Sequence, residues 1–418
     1  MSGQSLLQVS PQTQAPLDPG FIPAILANRS YRNAVAASRN TTMFRIALER
    51  EHGLVSRSDL EIFLPGSAYD QDTLRILERH LKFLLWARGG WKFWVSGPDV
   101  FCQEVARWYQ PGGMRSFDAQ LMQKVYEKPF VVESVPSDLV PESREIGSRI
   151  GGHFDGCRIG FDLGASDYKV AAVIEGDPVF STEIRWDPVG QSDPNYHYSR
   201  IVAGFRQAAE KLPRVDAIGG SSAGIYIANQ PKIASLFRSV PEEQFHHVIK
   251  PMFVRLQQEW GVPLIVINDG DVTALAGSLS LKKFAMLGIA MGSSEAAGYL
   301  NPQGRITGYL NELAFAPVDF YEHAAVDEWS GDAGVGALYF SQQTVNKLAP
   351  AANLTFPADM LLPERLKVVQ AKANDGDRNA ERIFETLGVY LGYTLPYYAD
   401  YYDYENLLIL GRVTSGRG

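Results

Sequence analysis

The stretch "PLIVINDGDVTALAG" (263–277) sends an apolar run, Leu264 to Ile267, into Asn268-Asp269-Gly270-Asp271 and then into a row of small residues. A carboxylate at the carboxyl tip of a buried strand can take a proton from a ligand hydroxyl. That makes Asp269 the candidate catalytic base, and Asn268 beside it supplies both a donor and an acceptor. Asp271 has a plainer duty as the N-cap of the helix that "VTALAG" predicts. A simple Asx turn accounts for the same residue types.

Other acids and glycines repeat this pattern of chemistry at strand ends. In "GFDLGASDYKVAAV" (160–173), a strand ends at Leu163 with Asp162 one residue before the end. Gly164 and Ala165 leave backbone N–H groups open to phosphate oxygens. Ser166 adds a hydroxyl and Lys169 a cation, and Asp162 suits a magnesium ion held through water. An ordinary β-hairpin explains this stretch equally well. "AIGGSSAGIYI" (217–227) reads as strand, Gly-Ser loop and strand, with Ser221 and Ser222 as substrate-binding candidates, though taken alone it reads more simply as a plain loop. "LGIAMGSSEAAGYL" (287–300) holds Gly288, Gly292 and Ser293, either a second phosphate-binding turn or a hairpin. Glu312 is an acid among apolar neighbours in "GYLNELAF". The late strand "NLLILGRV" ends at Gly411, where an adenine can pass over the backbone.

The elements that must position these residues follow from periodicity. Residues 1–20 are rich in Gln, Pro and Ser and read as a disordered arm. Residues 21–150 read as a mainly helical region. "TTMFRIALEREHG" is taken as a helix with a cap at Thr41 or Thr42 and a stop at Gly53. "DTLRILERHLKFLLWARGG" is a second helix, "WKFWVSGP" a strand and "PDVFCQEVARWY" a third helix. From about residue 151 the pattern changes to strand meanders and crossovers, which suggest an α/β body of two related halves.

The chain has 418 residues, 45% hydrophobic and 21% charged, with a formal net charge of -8. Two or three domains are expected at this length. The acidic balance argues against broad nucleic-acid binding. Cys102 and Cys157 are the only cysteines, too few for a disulfide framework or a four-cysteine zinc site. No stretch reaches the ~18 apolar residues of a membrane span, and no signal peptide is visible. A cytoplasmic protein is expected.

The order and spacing of these motifs from Cys157 to Gly418 resemble sugar kinases of the ROK family (repressor, open reading frame, kinase). The resemblance implies an actin-like, ribonuclease-H-like ATPase fold over residues 151–418, with ATP and Mg²⁺ as cofactors, a sugar as substrate and a homodimer as assembly. "DLGASDYKVA" is similar to the first phosphate motif, D-x-G-G-T, with Ala165 in place of a glycine. "GVPLIVINDGDVTALAG" is similar to "GxPVxVENDANAAALGE", which makes Asp269 the general base and Asn268 a sugar-hydroxyl partner. "NELAF" resembles "GEIGH" and places Glu312 on the sugar. "LLILGRV" resembles the adenosine motif "IVLGGG".

The departures are specific. Gly288-Ile289-Ala290 stands where G-T-G is usual, so the γ-phosphate hydroxyl is missing unless Ser293 or Ser294 replaces it, and Glu295 nearby would repel phosphate unless a magnesium ion lies between. Phe315 replaces a zinc- and sugar-binding histidine. "WSGDAGVGALYFSQQTV" lacks the cysteines of the family's zinc motif, so no structural zinc is expected. The family continues beyond the adenosine motif, so the chain reads as truncated at Gly418. The leading expectation is ATP-dependent phosphorylation of a sugar hydroxyl. The alternatives are a sugar-sensing transcriptional regulator, with residues 43–95 as a loose winged helix, and a degenerate member that binds sugar or nucleotide without turnover.

Overall fold

The computed structural model describes residues 4–148, 151, 153–165 and 167–415. They form two compact units, Met1–Ser148 with Lys283–Gly418, and Arg149–Lys282.

The first unit begins with α1 (Ala24–Ala36), β1 (Thr41–Glu49), β2 (Val55–Phe63), α2 (Asp70–Arg88), β3 (Lys92–Ser96), α3 (Asp99–Trp108), α4 (Ser116–Tyr126) and β4 (Val131–Ser134). The strands make one sheet in the order β2-β1-β3-β4. The expected helix over residues 41–53 is therefore a strand and a turn. Phe44, Ile46 and Leu48 are fully buried while Met43 is 41% exposed, so a period of two prevails over the helical spacing of Met43, Ile46 and Ala47. The strand already ends at Glu49, and Gly53, at φ 67, closes the turn that leads into β2. The helices of the N-terminal region thus pack with a sheet that the mainly helical reading left out.

The arm expected to be disordered is laid into the core. Leu7, Ala15 and Leu17 are buried. Leu17 N–H donates to Thr386 Oγ1 (3.1 Å), and Asp18 pairs with Lys347 (3.3 Å) and accepts from the Tyr390 hydroxyl. Few apolar residues suffice when each finds a preformed partner surface.

Nor do residues 21–148 stand apart. Helix α2 buries nearly all of its length, including a polar cluster tied to the later chain. Asp332 accepts from Arg115 (2.8 and 3.0 Å) and Arg79 (3.2 Å) and pairs with Lys82 (3.2 Å). Lys82 and Trp86 Nε1 also reach Asp118 (3.0 and 2.9 Å). Glu78 lies 2.9 Å from both Arg79 Nε and Arg115 Nε, as ion pairs without hydrogen-bond alignment. Burial opposes the Asp332 charge, yet Arg79, Lys82 and Arg115 hold its carboxyl far below the usual range. This cluster occupies part of the stretch that lacks the family's cysteines.

The second unit contains β5 (Cys157–Leu163), β6 (Asp167–Ile174), β7 (Asp177–Arg185), α5 (Pro194–Ala209), β8 (Ala217–Ser222), β9 (Ile225–Ile227), β10 (Gln230–Ile233), a short α6 (Glu242–Gln244) continuing as a π-turn, α7 (Met252–Trp260), β11 (Leu264–Asn268) and α8 (Asp269–Leu281). Its main sheet runs β11-β8-β5-β6-β7. Strands β11, β8 and β5 are parallel, and β5, β6 and β7 form the expected antiparallel meander. Its core joins Ile159, Phe161, Ile218 and Val266 of the sheet to Phe205, Phe253 and Leu256 of the helices. Gly219-Gly220-Ser221-Ser222 lies inside β8 rather than in a loop. A Cβ on Gly220 would sit 2.3 Å from Phe161 O, so β8 needs a residue without one.

The first unit resumes with β12 (Met286–Met291), β13 (Glu295–Leu300), α9 (Gln342–Leu348), α10 (Leu362–Asn374), α11 (Arg378–Tyr398) and β14 (Asn406–Leu410). Strand β12 pairs antiparallel with β13 and parallel with β14.

Candidate active site

In the second unit the strand register assembles the site. Three parallel strands end together, with Leu163, Ser222 and Asn268 in one row and Asp162, Ser221 and Ile267 in the row before it. Side chains in one row share a face of the sheet. Asp162 is exposed and accepts from Ser221 Oγ (2.6 Å). Lys169 lies opposite Asp162 on β6 and is also exposed. Gly160 and Gly219, the next pair along, have nothing within 4 Å of where a Cβ would be.

Asp269 opens α8. Its Oδ1 accepts from Gly270 N–H (3.1 Å), and its own backbone N–H also bonds to the carboxylate. Burial raises its carboxyl above the ordinary range. The Gly270 hydrogen bond opposes this, and the charge of Asp162 adds to it. A base whose affinity for protons has risen this way is suited to accept one from an alcohol.

The N-cap of α8 is Asn268, not Asp271. Asn268 Oδ1 accepts from Gly270 N–H (2.7 Å), and its Nδ2 donates to Gly224 O (2.7 Å). One strand-end amide thus ties the loop after β8 to the start of α8, and both its polar atoms are engaged. Ser222 has no exposed surface and accepts from the Tyr226 hydroxyl (2.7 Å). Ser221 gives its proton to Asp162. Ser221 thus steadies the Asp162 carboxylate, and Ser222 holds the Tyr226 hydroxyl. Tyr226, which the sequence reading missed, has its hydroxyl pKa raised by burial, while Ser222 opposes and the Asp269 charge adds. The only hint was its place between Ile225 and Ile227, which turns it to the other side of β9.

The first phosphate turn is closed on itself. Gly164 N–H donates to Asp167 O (3.0 Å), and Gly164 O accepts from Trp186 Nε1 (2.8 Å). Gly164 does not present its N–H to a ligand. Ser166 lies outside the described residues.

The first unit holds the remaining candidates. Gly288 is in mid-strand, paired with Gly298 and Leu408, and forms no turn. Gly292 does lie in the turn after β12, but its N–H donates to Ser294 O (3.0 Å) and its carbonyl accepts from Gln342 N–H (2.9 Å). Ser293 is exposed beside it. Gly411, at φ 116, lets the chain cross the end of β12, since a Cβ there would sit 2.4 Å from Met291 O.

Glu295 is buried and turned inward, away from that turn. Tyr398 donates to its Oε1 (3.1 Å), and its Oε2 has no partner. Burial pushes its carboxyl up to about 8, against the Tyr398 hydrogen bond and with help from the Glu312 charge. It is therefore mainly uncharged at neutral pH and does not repel an anion as expected. Glu312 is half-buried, and its N–H donates to Trp86 O (3.1 Å). Phe315 packs between Trp86 and Trp329, with centroids 4.4 and 4.9 Å away. The position expected to ligate in the family is here part of an aromatic stack.

Among the described residues no group of three or more His, Cys, Asp or Glu side chains is placed to hold a metal. Asp162 still fits a magnesium ion bound through water, because it is exposed and hydrogen-bonded through one oxygen. The glycines expected at the ATP phosphates fit less well, since the N–H groups of Gly164 and Gly292 are engaged.

No protein-family model matches the chain, and no curated protein matches it. Solved structures do. A ROK family transcriptional regulator, described as a homolog of the E. coli MLC protein, matches over 66% of this chain and 69% of its own, at 20% identity and a TM-score of 0.50. The chain has the ROK fold. Two further ROK structures, both below that similarity, are a hexokinase from Thermus thermophilus (16% identity, 62% and 83% of the chains, TM-score 0.48) and a glucokinase from Streptomyces griseus in complex with glucose and AMPPNP (18%, 61% and 83%, 0.46). Within the ROK fold, the strand ends carrying Asp162 and Asp269 come from the three parallel strands of the Arg149–Lys282 unit.

Proposed function

We propose that this ROK-fold protein is a sugar kinase in which Asp269 takes the proton from the acceptor hydroxyl. The observation that carries this reading is the placement of Asp269: a carboxylate at the end of a parallel strand, its proton affinity raised by burial and by Asp162. As the proton passes to Asp269, the alcohol oxygen gains nucleophilicity. The Gly270 N–H holds the carboxylate in place. Asp162, steadied by Ser221, would hold Mg²⁺ through water, and that ion neutralises phosphate charge when bound. A member of this type acts on a sugar as a small soluble ligand and uses ATP as the phosphoryl donor.

A second reading, sugar binding without turnover, is favoured by the engaged N–H groups of Gly164 and Gly292. The regulator reading needs a helix free to read DNA. Helix α2, which would have to enter a DNA groove, is buried along nearly its whole length.

The test is ADP release over hexoses, amino sugars and polyols, run beside calorimetry with the same sugars. Turnover that falls about a hundredfold or more in Asp269→Asn supports the kinase. Sugar binding without ADP release supports the second reading. Turnover that survives the substitution removes Asp269 from the role.

A further inference from the structure

Strand β2 is the edge of the N-terminal sheet. An edge strand presents every second N–H and C=O outward, open to another chain. Three of the five outward N–H groups on β2 are already matched. Val55 exchanges both of its bonds with Arg144 (3.0 and 2.9 Å), Arg57 N–H donates to Ser143 Oγ (3.1 Å), and Phe63 N–H donates to the Tyr31 hydroxyl (3.4 Å). By the same alternation Asp59 and Glu61 also face outward. Among the described residues neither of their N–H groups has a partner.

These two residues border a cleft of about 480 Å³. Residues 58–61 of β2 form one wall. Tyr31, Arg32 and Val35 of α1 face them, and Ile76 of α2 and Tyr401 complete the lining. His80 does not reach into it freely, since its ring nitrogens hold Ser58 Oγ and the Tyr401 hydroxyl (both 2.8 Å).

We propose that this cleft takes a short extended segment of a partner protein, which adds a strand to β2 beside Asp59 and Glu61. Two observations select this occupant. The chain's own bridge at Arg144 already pairs antiparallel with the same edge, so the cleft continues a line along which β2 accepts extended backbone. The charge also has a sign. Asp59 is matched by Arg45 and Arg57 (2.7 and 3.0 Å), and Asp400 by Arg32 (2.8 Å). Glu61 takes only the Thr41 hydroxyl (2.7 Å), and among the described residues it has no cationic partner. The cleft therefore favours a segment with a lysine or arginine near Glu61. Main-chain bonds supply affinity and this charge supplies preference, as in other strand-addition complexes.

The test is selection of displayed random peptides of about ten residues on the full chain. Peptides carrying basic residues are expected to enrich. N-methylation of alternate backbone nitrogens in a selected peptide is expected to weaken it about tenfold or more, because it removes strand bonds and leaves side chains. Glu61→Pro removes one outward N–H without touching the β1–β2 ladder. It is expected to lose the peptide while its melting temperature stays near the parent's, and Glu61→Gln is expected to lose only the basic preference. Three results overturn the proposal: no enrichment, equal binding by the N-methylated peptide to the parent protein, or a concentration-dependent dimer that Glu61→Pro abolishes. The last would assign the edge to a second copy of this chain.

Discussion

Replacing Glu295 by glutamine tests how this fold tolerates a carboxyl in its core. Glu295 is 3% exposed, and its carboxyl is pushed from 4.5 to about 8. The folded state therefore holds the proton more tightly than the unfolded chain does. The stability linked to Glu295 is complete below about pH 4.5 and is lost as pH rises through about 8. Each pH unit inside that window removes about 1.4 kcal/mol, so the passage from 4.5 to about 8 costs about 5 kcal/mol. Glutamine keeps an acceptor for the Tyr398 hydroxyl and cannot ionise. Its second N–H has no partner at the Oε2 position, which costs about 1 kcal/mol at low pH. Thermal melts of both proteins from acid to mildly alkaline pH should therefore cross. The parent is equal or better at the acid end, and Glu295→Gln gains steadily until the curves level off near the pKa. The total relative gain is about 6–8 °C for a cooperative unit of this size. Other titrating groups are common to both proteins and cancel. Parallel curves across the range would refute the buried, protonated carboxyl and the causes assigned to it.

Further predictions address separate parts of the molecule. If the chain turns over, the acid limb of its pH–rate profile lies above the ordinary aspartate range, because Asp269 must be ionised to act. Asp162→Asn should move that limb down by removing the neighbouring charge, read from initial rates across pH. Asp332→Ala leaves Arg79, Lys82 and Arg115 without their shared anion and should cost about 3–5 kcal/mol in urea unfolding. Gly411→Ala forces a methyl onto the Met291 backbone at an unfavourable φ. It should lower stability by about 1–3 kcal/mol in the same assay.

The acceptor end of the site was legible because it is local. An apolar run ending in Asn-Asp says where a strand stops and what stands at its tip. Which of its polar groups caps the helix was not legible. Asn268 and Asp271 are both good caps by type, and only the Gly224 carbonyl within reach of the Asn268 amide decides between them. The strand β1 was misread because "TTMFRIALE" satisfies helical and extended periods at once, and the neighbours β2 and β3 settle the choice. The arm at the start of the chain was misread for the converse reason. Leu17 looks isolated in sequence, and its partner Thr386 comes from α11, far along the chain. The engaged N–H groups of the glycine turns were also beyond reach. Composition shows that a glycine permits close approach, but not what approaches it.

The order in which the chain is made bears on the unit that holds α2. Its two segments are separated by residues 149–282, so α2 leaves the ribosome long before Asp332 and the tyrosines of α11 exist. Three cations and a run of leucines and aromatics then wait without their final partners. The intervening unit draws on no later residues for its sheet and can close first. A nascent chain paused near residue 282 would thus carry one finished body and one exposed, aggregation-prone half. Holding factors that engage unfolded apolar segments would find their target in α2 during that interval.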